Sequence, residues 1–189
     1  MTVRGILLAA GASVRFGANK LLQKLPDGTP IAVASARNLV AALPDTIAVV
    51  RPGSAELERL LREAGCEVVV CQCAEDGMGY SLKHAVALSE NVEGWVVALA
   101  DMPFIQPATI QRVAEAVAGG ATIAAPSFKG ERGHPVGFGV LLRSELEALS
   151  GDEGARRVLK QRAASIRLIE VDDAGVHRDI DRPEDLPKA

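Results

Sequence analysis

Aromatic side chains are almost absent from this sequence: one Trp, one Tyr and four Phe in 189 residues. With 48% of the chain hydrophobic, a core has to be assembled from Ala, Val, Leu and Ile instead. Cysteine is scarce too. Cys66, Cys71 and Cys73 are odd in number and close together, no fourth ligand completes a zinc pattern, and His84, His134 and His177 stand singly. Buried or half-buried thiols in a reducing compartment are expected, not a disulfide framework or a metal finger. No apolar run approaches the ~20 residues that a membrane span needs. The apolar N-terminal stretch is short and turns at Gly11 into a charged loop, so it reads as a strand and not a signal peptide. A cytoplasmic protein without membrane contact is expected. Positive charge is not in excess either: 21 Lys and Arg face 24 Asp and Glu, a net charge of −3. That argues against a nucleic-acid partner, which needs a concentrated basic face, but leaves room for a local basic pocket that binds phosphates.

What the chain does have is a regular alternation of apolar runs and helical patterns. Strands are expected at 3–10, 46–50, 68–71, 94–100, 121–125, 137–142 and 166–171, and helices at 31–43, 54–64, 81–88, 107–118 and 155–162. Pro44 stops the first helix, Ser54 reads as the N-cap of the second, and Gly65 and Gly119-Gly120 end the second and fourth. With short connections, this order implies a single domain over 1–189. Its fold class is α/β, a three-layer α/β/α sandwich around a mostly parallel, Rossmann-like sheet. Ligands of such sheets sit outside the carboxyl ends of the strands, so the loops after Ala10, Cys71, Ala100 and Pro126 are expected to face one crevice.

The stretch from Leu8 to Lys20 runs Leu-Ala-Ala-Gly-Ala-Ser-Val-Arg-Phe-Gly-Ala-Asn-Lys. A buried strand enters a loop of small residues and then meets Arg15 and Lys20. Backbone amides freed by glycine form anion nests, Arg15 can fork onto a phosphate, and Lys20 adds a point charge. The Walker spacing is absent, because five residues separate Gly11 from Gly17 and Lys20 follows three later; Gly-x-Gly-x-x-Gly is absent as well. By geometry alone, a phosphate cradle and a tight turn with two exposed cations both remain open.

These residues resemble the signature loop of the nucleotidyltransferases of the molybdenum-cofactor type, the MobA-like family. The resemblance continues at Asp101-Met102-Pro103, at Gly133-His134-Pro135, at Gly151-Asp152-x-Gly154-Ala155-Arg156, and at Asp179-Ile180-Asp181 followed by Pro183-Glu184-Asp185-Leu186. It implies the fold of the nucleotide-diphospho-sugar transferases and transfer of an NMP group from a nucleoside triphosphate with release of pyrophosphate. It also implies Mg²⁺ on Asp101 and Asp181, with phosphates held by Arg15, Lys20 and the amides around Gly11 and Ser13. Asp179 rivals Asp181, and Arg182 stands where the family usually has Thr. Capping of the following turns is the structural alternative for Asp101 and Asp181.

The form Leu-Ala-Ala-Gly is common in cytidylyl members of the family, and the Cβ of Ala10 leaves less room for a purine. CTP is therefore favoured, with Ala9, Ala10, Gly11 and Ser13 on the nucleotide side. Gly77, Gly79 and Ser81 resemble the nucleotide-side loop; the other reading is a turn with Ser81 as N-cap. His134 resembles an acceptor contact or a turn-shaping residue, with Lys129, Arg132 and Arg156 as further cations and Asp152 as acceptor contact or cap. The implied acceptor is a molybdopterin-type cofactor, which a molybdoenzyme would then receive. Alternatives are GTP, another phosphorylated acceptor such as a sugar phosphate, or a non-catalytic protein that delivers the cofactor. The loop at 23–29 is longer than is usual in the family.

Overall fold

Side-chain alternation along the strands creates two cores. In the computed structural model, which describes residues 2–11 and 19–186, the first strand is β1 (Thr2–Leu8). Its Ile6 belongs to one apolar cluster and its Leu7 to the other, both fully buried. The same division separates Ile47 and Val49 from Ala48 and Val50 in β2 (Thr46–Val50), and Trp95 and Val97 from Val96 and Ala98 in β4 (Val92–Leu99). Strands apolar on both faces need helices on both. One cluster takes Leu39 of α1 (Ile31–Ala42), Leu57 and Leu61 of α2 (Ala55–Glu63), and Val113 and Val117 of α4 (Pro107–Ala118). The other takes Leu82 and Val86 of α3 (Met78–Ala87), Leu146 of α5 (Arg143–Glu147) and Val158 of α6 (Arg156–Gln161).

The remaining strands are β3 (Glu67–Val70), β5 (Ile123–Phe128), β6 (Glu131–Arg132), β7 (Val136–Gly139) and β8 (Ile166–Glu170). The sheet order is β3-β2-β1-β4-β7-β5-β6, with β8 also on β5. Pairings β1–β2, β2–β3, β1–β4 and β5–β8 are parallel; β7 runs antiparallel to β4 and β5, and β6 antiparallel to β5. The sandwich is therefore three-layered and mostly parallel, as expected. Lys129 and Gly130, at φ 53° and 80°, make the two-residue turn of the β5–β6 hairpin. Among the described residues, no helix is long and apolar enough to cross a membrane.

Three expectations need correction. The strand at 137–142 ends at Gly139. Leu142, Leu146 and Leu149 then bury at helical spacing, which draws the chain into a 3-10 turn and α5. The loop expected after Pro126 begins only after Phe128, because Pro126 lies inside β5 and pairs Ile169. Its carbonyl accepts from the Gly133 N–H at 2.8 Å, and lacking an N–H it cannot return that bond where the chain passes from β6 to β7. Cys66 and Cys71 are buried as expected, but Cys73 is exposed. Burial pushes the Cys66 thiol up to about 11.

Candidate active site

Because β1 and β4 are parallel neighbours, their carboxyl ends finish side by side, and the Ala100 N–H donates to the Leu8 carbonyl at 3.1 Å. Ala9 is buried and Ala10 half-buried, whereas Gly11 is exposed with nothing within 4 Å of the place a Cβ would take. Ser13 and Arg15 lie outside the described residues. Lys20 opens a 3-10 turn, Lys20–Leu22, which is tied down by the buried Leu21 and by the Asn19 side chain accepting from the Leu21 N–H at 3.3 Å. The longer loop beyond it closes on itself. Leu25 N–H donates to the Thr29 carbonyl, Gly28 N–H to the Leu25 carbonyl, and Ile31 N–H to the Gln23 carbonyl.

Asp101 follows β4 directly. Two side chains of α1 hold its loop: Ser35 Oγ donates to the Ala100 carbonyl at 2.9 Å, and Asn38 Nδ2 donates to the Pro103 carbonyl at 2.9 Å. The C-terminal segment then crosses the loop. Ile180, fully buried, donates its N–H to the Asp101 carbonyl at 2.9 Å, which sets Asp181 beside Asp101. Asp185 accepts from the N–H groups of Asp181 (3.0 Å) and Arg182 (2.7 Å). The turn at Pro183 is thus capped from Arg182, and the Asp181 carboxylate turns the other way. Asp179, the rival, is exposed. Further back, the buried Asp173 accepts from Gln106 N–H (2.9 Å), Thr109 Oγ1 (2.7 Å) and Gly175 N–H (3.0 Å), anchoring the segment to the start of α4.

Lys20 joins the two carboxylates. Its Nζ lies 2.8 Å from Asp101 Oδ2 and 2.7 Å from Asp181 Oδ1, with the three side chains 13%, 21% and 44% exposed. Burial works against the charged ammonium, but hydrogen bonds and charges from Asp101 and Asp181 outweigh it and hold the Lys20 pKa above its ordinary value. Asp101 Oδ1 is buried and has no hydrogen-bond partner. An orphaned anionic oxygen beside a second carboxylate, on an open strand end, suits a hard divalent cation that takes its other ligands from phosphate and water. No three His, Cys, Asp or Glu side chains converge on one point among the described residues, so these two carboxylates are the donor set present there.

Ser35, Asn38, Asp173 and Asp185 escaped the sequence reading as site residues. A small polar residue on the otherwise buried face of α1 is the one local signal that Ser35 offered. Ser35→Ala and Asn38→Ala are each expected to cost about 1 kcal/mol of stability. Both should lower turnover several-fold without changing nucleotide affinity, because the Asp101 loop loses its anchor. Steady-state kinetics beside thermal melts check this; unchanged turnover would mean that the anchors serve folding alone.

His134 sits between β6 and β7 with its N–H on the Val176 carbonyl at 2.9 Å and its Nδ1 buried without a partner. Burial lowers its pKa first; Arg132, Arg156 and His177 add to that, and Asp101 opposes it. Arg132, Arg156, His177 and Asp101 thus all lie within electrostatic reach of His134. As pH falls through 6.5 the unfolded chain protonates this residue before the native one does. The unfolded state then binds more protons, so stability rises with pH across the window below 6.5. Melting temperatures from about pH 7.5 to pH 5 should fall less steeply in His134→Gln than in wild type; parallel profiles would count against this assignment.

Gly77 and Gly79 serve a contact that was not anticipated. Gly77 has φ 126°, a Cβ there would lie 2.2 Å from the Gly151 carbonyl carbon, and Gly79 N–H donates to the Gly151 carbonyl at 2.8 Å. The loop before α3 thus docks backbone to backbone on 150–152. With that carbonyl capping its first turn, α3 starts at Met78, so Ser81 lies inside the helix and is not its N-cap. Ser81 is 2% exposed and its Oγ has no hydrogen-bond partner.

Known proteins resemble this chain over nearly its whole length. The purine catabolism protein PucB of Bacillus subtilis is 33% identical over 96% of this chain and 92% of its own length. Nicotine blue oxidoreductase of Paenarthrobacter nicotinovorans is 29% identical over 97% of this chain and 94% of its own. The crystal structure of Rv0371c from Mycobacterium tuberculosis superposes with a TM-score of 0.85 at 28% identity, covering 98% of this chain and 96% of that one. Rv0371c has also been solved in complex with manganese. Residues 5–166 match the family described as the MobA-like NTP transferase domain, so the chain belongs to that family and is a nucleotidyltransferase.

Proposed function

We propose that this enzyme transfers CMP from CTP to the phosphate of a molybdopterin-type cofactor, with Mg²⁺ held by Asp101 and Asp181. The observation that carries the proposal is the meeting of Asp101, Asp181 and Lys20 at the carboxyl ends of β1 and β4. An acceptor phosphate oxygen attacks the α-phosphorus in line, a new P–O bond forms, and the bond to the bridging oxygen breaks so that pyrophosphate leaves. Bound Mg²⁺ would neutralise charge on the reacting phosphates. Arg15 and Lys20 neutralise the leaving pyrophosphate, and the amides from Gly11 to Ser13 orient it. Ala10, by its Cβ at the end of β1, favours the smaller pyrimidine base. Gly77 and Ser81 belong to the nucleotide side, and His134 with Arg132 and Arg156 to the acceptor. A manganese complex of a relative 26% identical supports a divalent cation here. The reading places the work in the cytoplasm, with a molybdoenzyme as recipient of the product.

A second reading is a carrier that binds the cofactor and hands it to an oxidoreductase without transferring CMP. Pyrophosphate release with each of the four NTPs and Mg²⁺, with and without the cofactor, separates them. Release that needs both CTP and cofactor supports the transferase. Release with GTP or with another phosphorylated acceptor reassigns the substrate, and binding without release supports the carrier.

A further inference from the structure

We propose that Lys20 is a resident counter-ion of Asp101 and Asp181 that a divalent cation has to displace, so that free metal binds weakly and triphosphate binding makes room for it. The inference rests on the reading of Asp101 and Asp181 as metal carboxylates and assigns Lys20 a role before nucleotide arrives. Its basis is the bridging ammonium, within hydrogen-bond distance of an oxygen on each carboxylate. Two adjacent carboxylates in a half-buried pocket repel each other, and a single positive charge between them relieves that repulsion. A divalent cation bound to the same oxygens would face the ammonium as a like charge at close range. The two cannot share the position.

The side chain is suited to leaving. Lysine carries a point charge on a flexible four-carbon stem, without the fixed fork that would commit an arginine to one carboxylate. Its backbone is anchored by the Asn19 cap and the buried Leu21, so the stem can swing while the turn stays in place. A triphosphate offers the displaced ammonium a new anionic partner, whereas metal alone offers none. Metal and nucleotide therefore help each other through Lys20, and linkage makes that help reciprocal.

The test is Mn²⁺ binding to nucleotide-free protein, followed by the electron paramagnetic resonance of the unbound ion. Lys20→Met is expected to bind Mn²⁺ about tenfold more tightly than wild type. It should also bind CTP more weakly in the absence of metal. Lys20→Gln, which keeps a polar group in the gap, covers the case in which the Met variant does not fold. Asp101→Asn should lose Mn²⁺ binding in either background. If Asp101→Asn binds Mn²⁺ like wild type, the metal-site reading itself fails. If Asp101→Asn loses the ion but neither Lys20 variant gains affinity, the counter-ion proposal alone is overturned. A wild-type measurement needs no substitution: with isotope-labelled lysine, saturating Mg²⁺ without nucleotide should shift the Lys20 side-chain NMR signal, and an unmoved signal would refute displacement.

Discussion

Asp101→Asn should slow pyrophosphate release about 10³-fold, the upper end of what one fixed electrostatic group contributes to a transition state. The carboxylate lies directly after a buried strand, has one oxygen on Lys20, and has the other buried without a partner. Asn is nearly the same size and leaves the backbone bonds of the loop in place: Ile180 N–H on the Asp101 carbonyl, and Ser35 and Asn38 on its neighbours. The loss should therefore appear in turnover, with a melting temperature close to wild type. Asp181→Asn should cost less, about 10²-fold, because that carboxylate is more exposed. Stopped-time pyrophosphate assays on both variants decide it, and Asp101→Asn activity within tenfold of wild type would remove Asp101 from the reaction.

Asp173→Ala should be the most destabilising single change near the site, at about 3–5 kcal/mol, because three donors lose their acceptor at once. For a chain of 189 residues, that corresponds to a melting temperature lower by about 10 °C. The functional consequence follows from position. Asp173 ties the segment that ends in Ile180 and Asp181 to the start of α4, so cutting the tie loosens Asp181 against Asp101. At a temperature where the variant is still folded, its transfer rate should resemble that of Asp181→Asn. Thr109→Val removes one of the three bonds and should cost correspondingly less. A variant that melts like wild type would show that the apolar contacts of Val176 and Ile180 hold the segment unaided.

The second experiment probes a residue, Asp173, that no local pattern announces. The family match ends at residue 166, and both Asp173 and Asp181 lie beyond it. The sequence reading reached Asp181 by resemblance, with Asp179 and a capping role as rivals. What separates these readings in space is the Ile180 N–H on the Asp101 carbonyl and the Asp185 side chain occupying the cap. The same is true of Gly77 and Gly79. Their sequence context suggests a loop that approaches a ligand, yet their missing Cβ atoms accommodate the backbone at Gly151, more than seventy residues away.

The layered α/β/α architecture and the strand ends that face the candidate site were legible in the sequence, because side-chain period and turn residues are properties of a few consecutive positions; Lys20 and Asp101 entered as candidates through the family resemblance. The partition of apolar residues into two cores follows from the same alternation, and α4 runs over the very residues that its pattern predicts. Tertiary structure alone decided that β7 stops at Gly139, that Ser81 lies within α3, that α1 braces the Asp101 loop through Ser35 and Asn38, and that one lysine bridges two carboxylates eighty residues apart. Each of these depends on which strands become neighbours and where the last segment crosses the sheet. Those choices are made by burial summed over the whole chain, and no short stretch of sequence contains them.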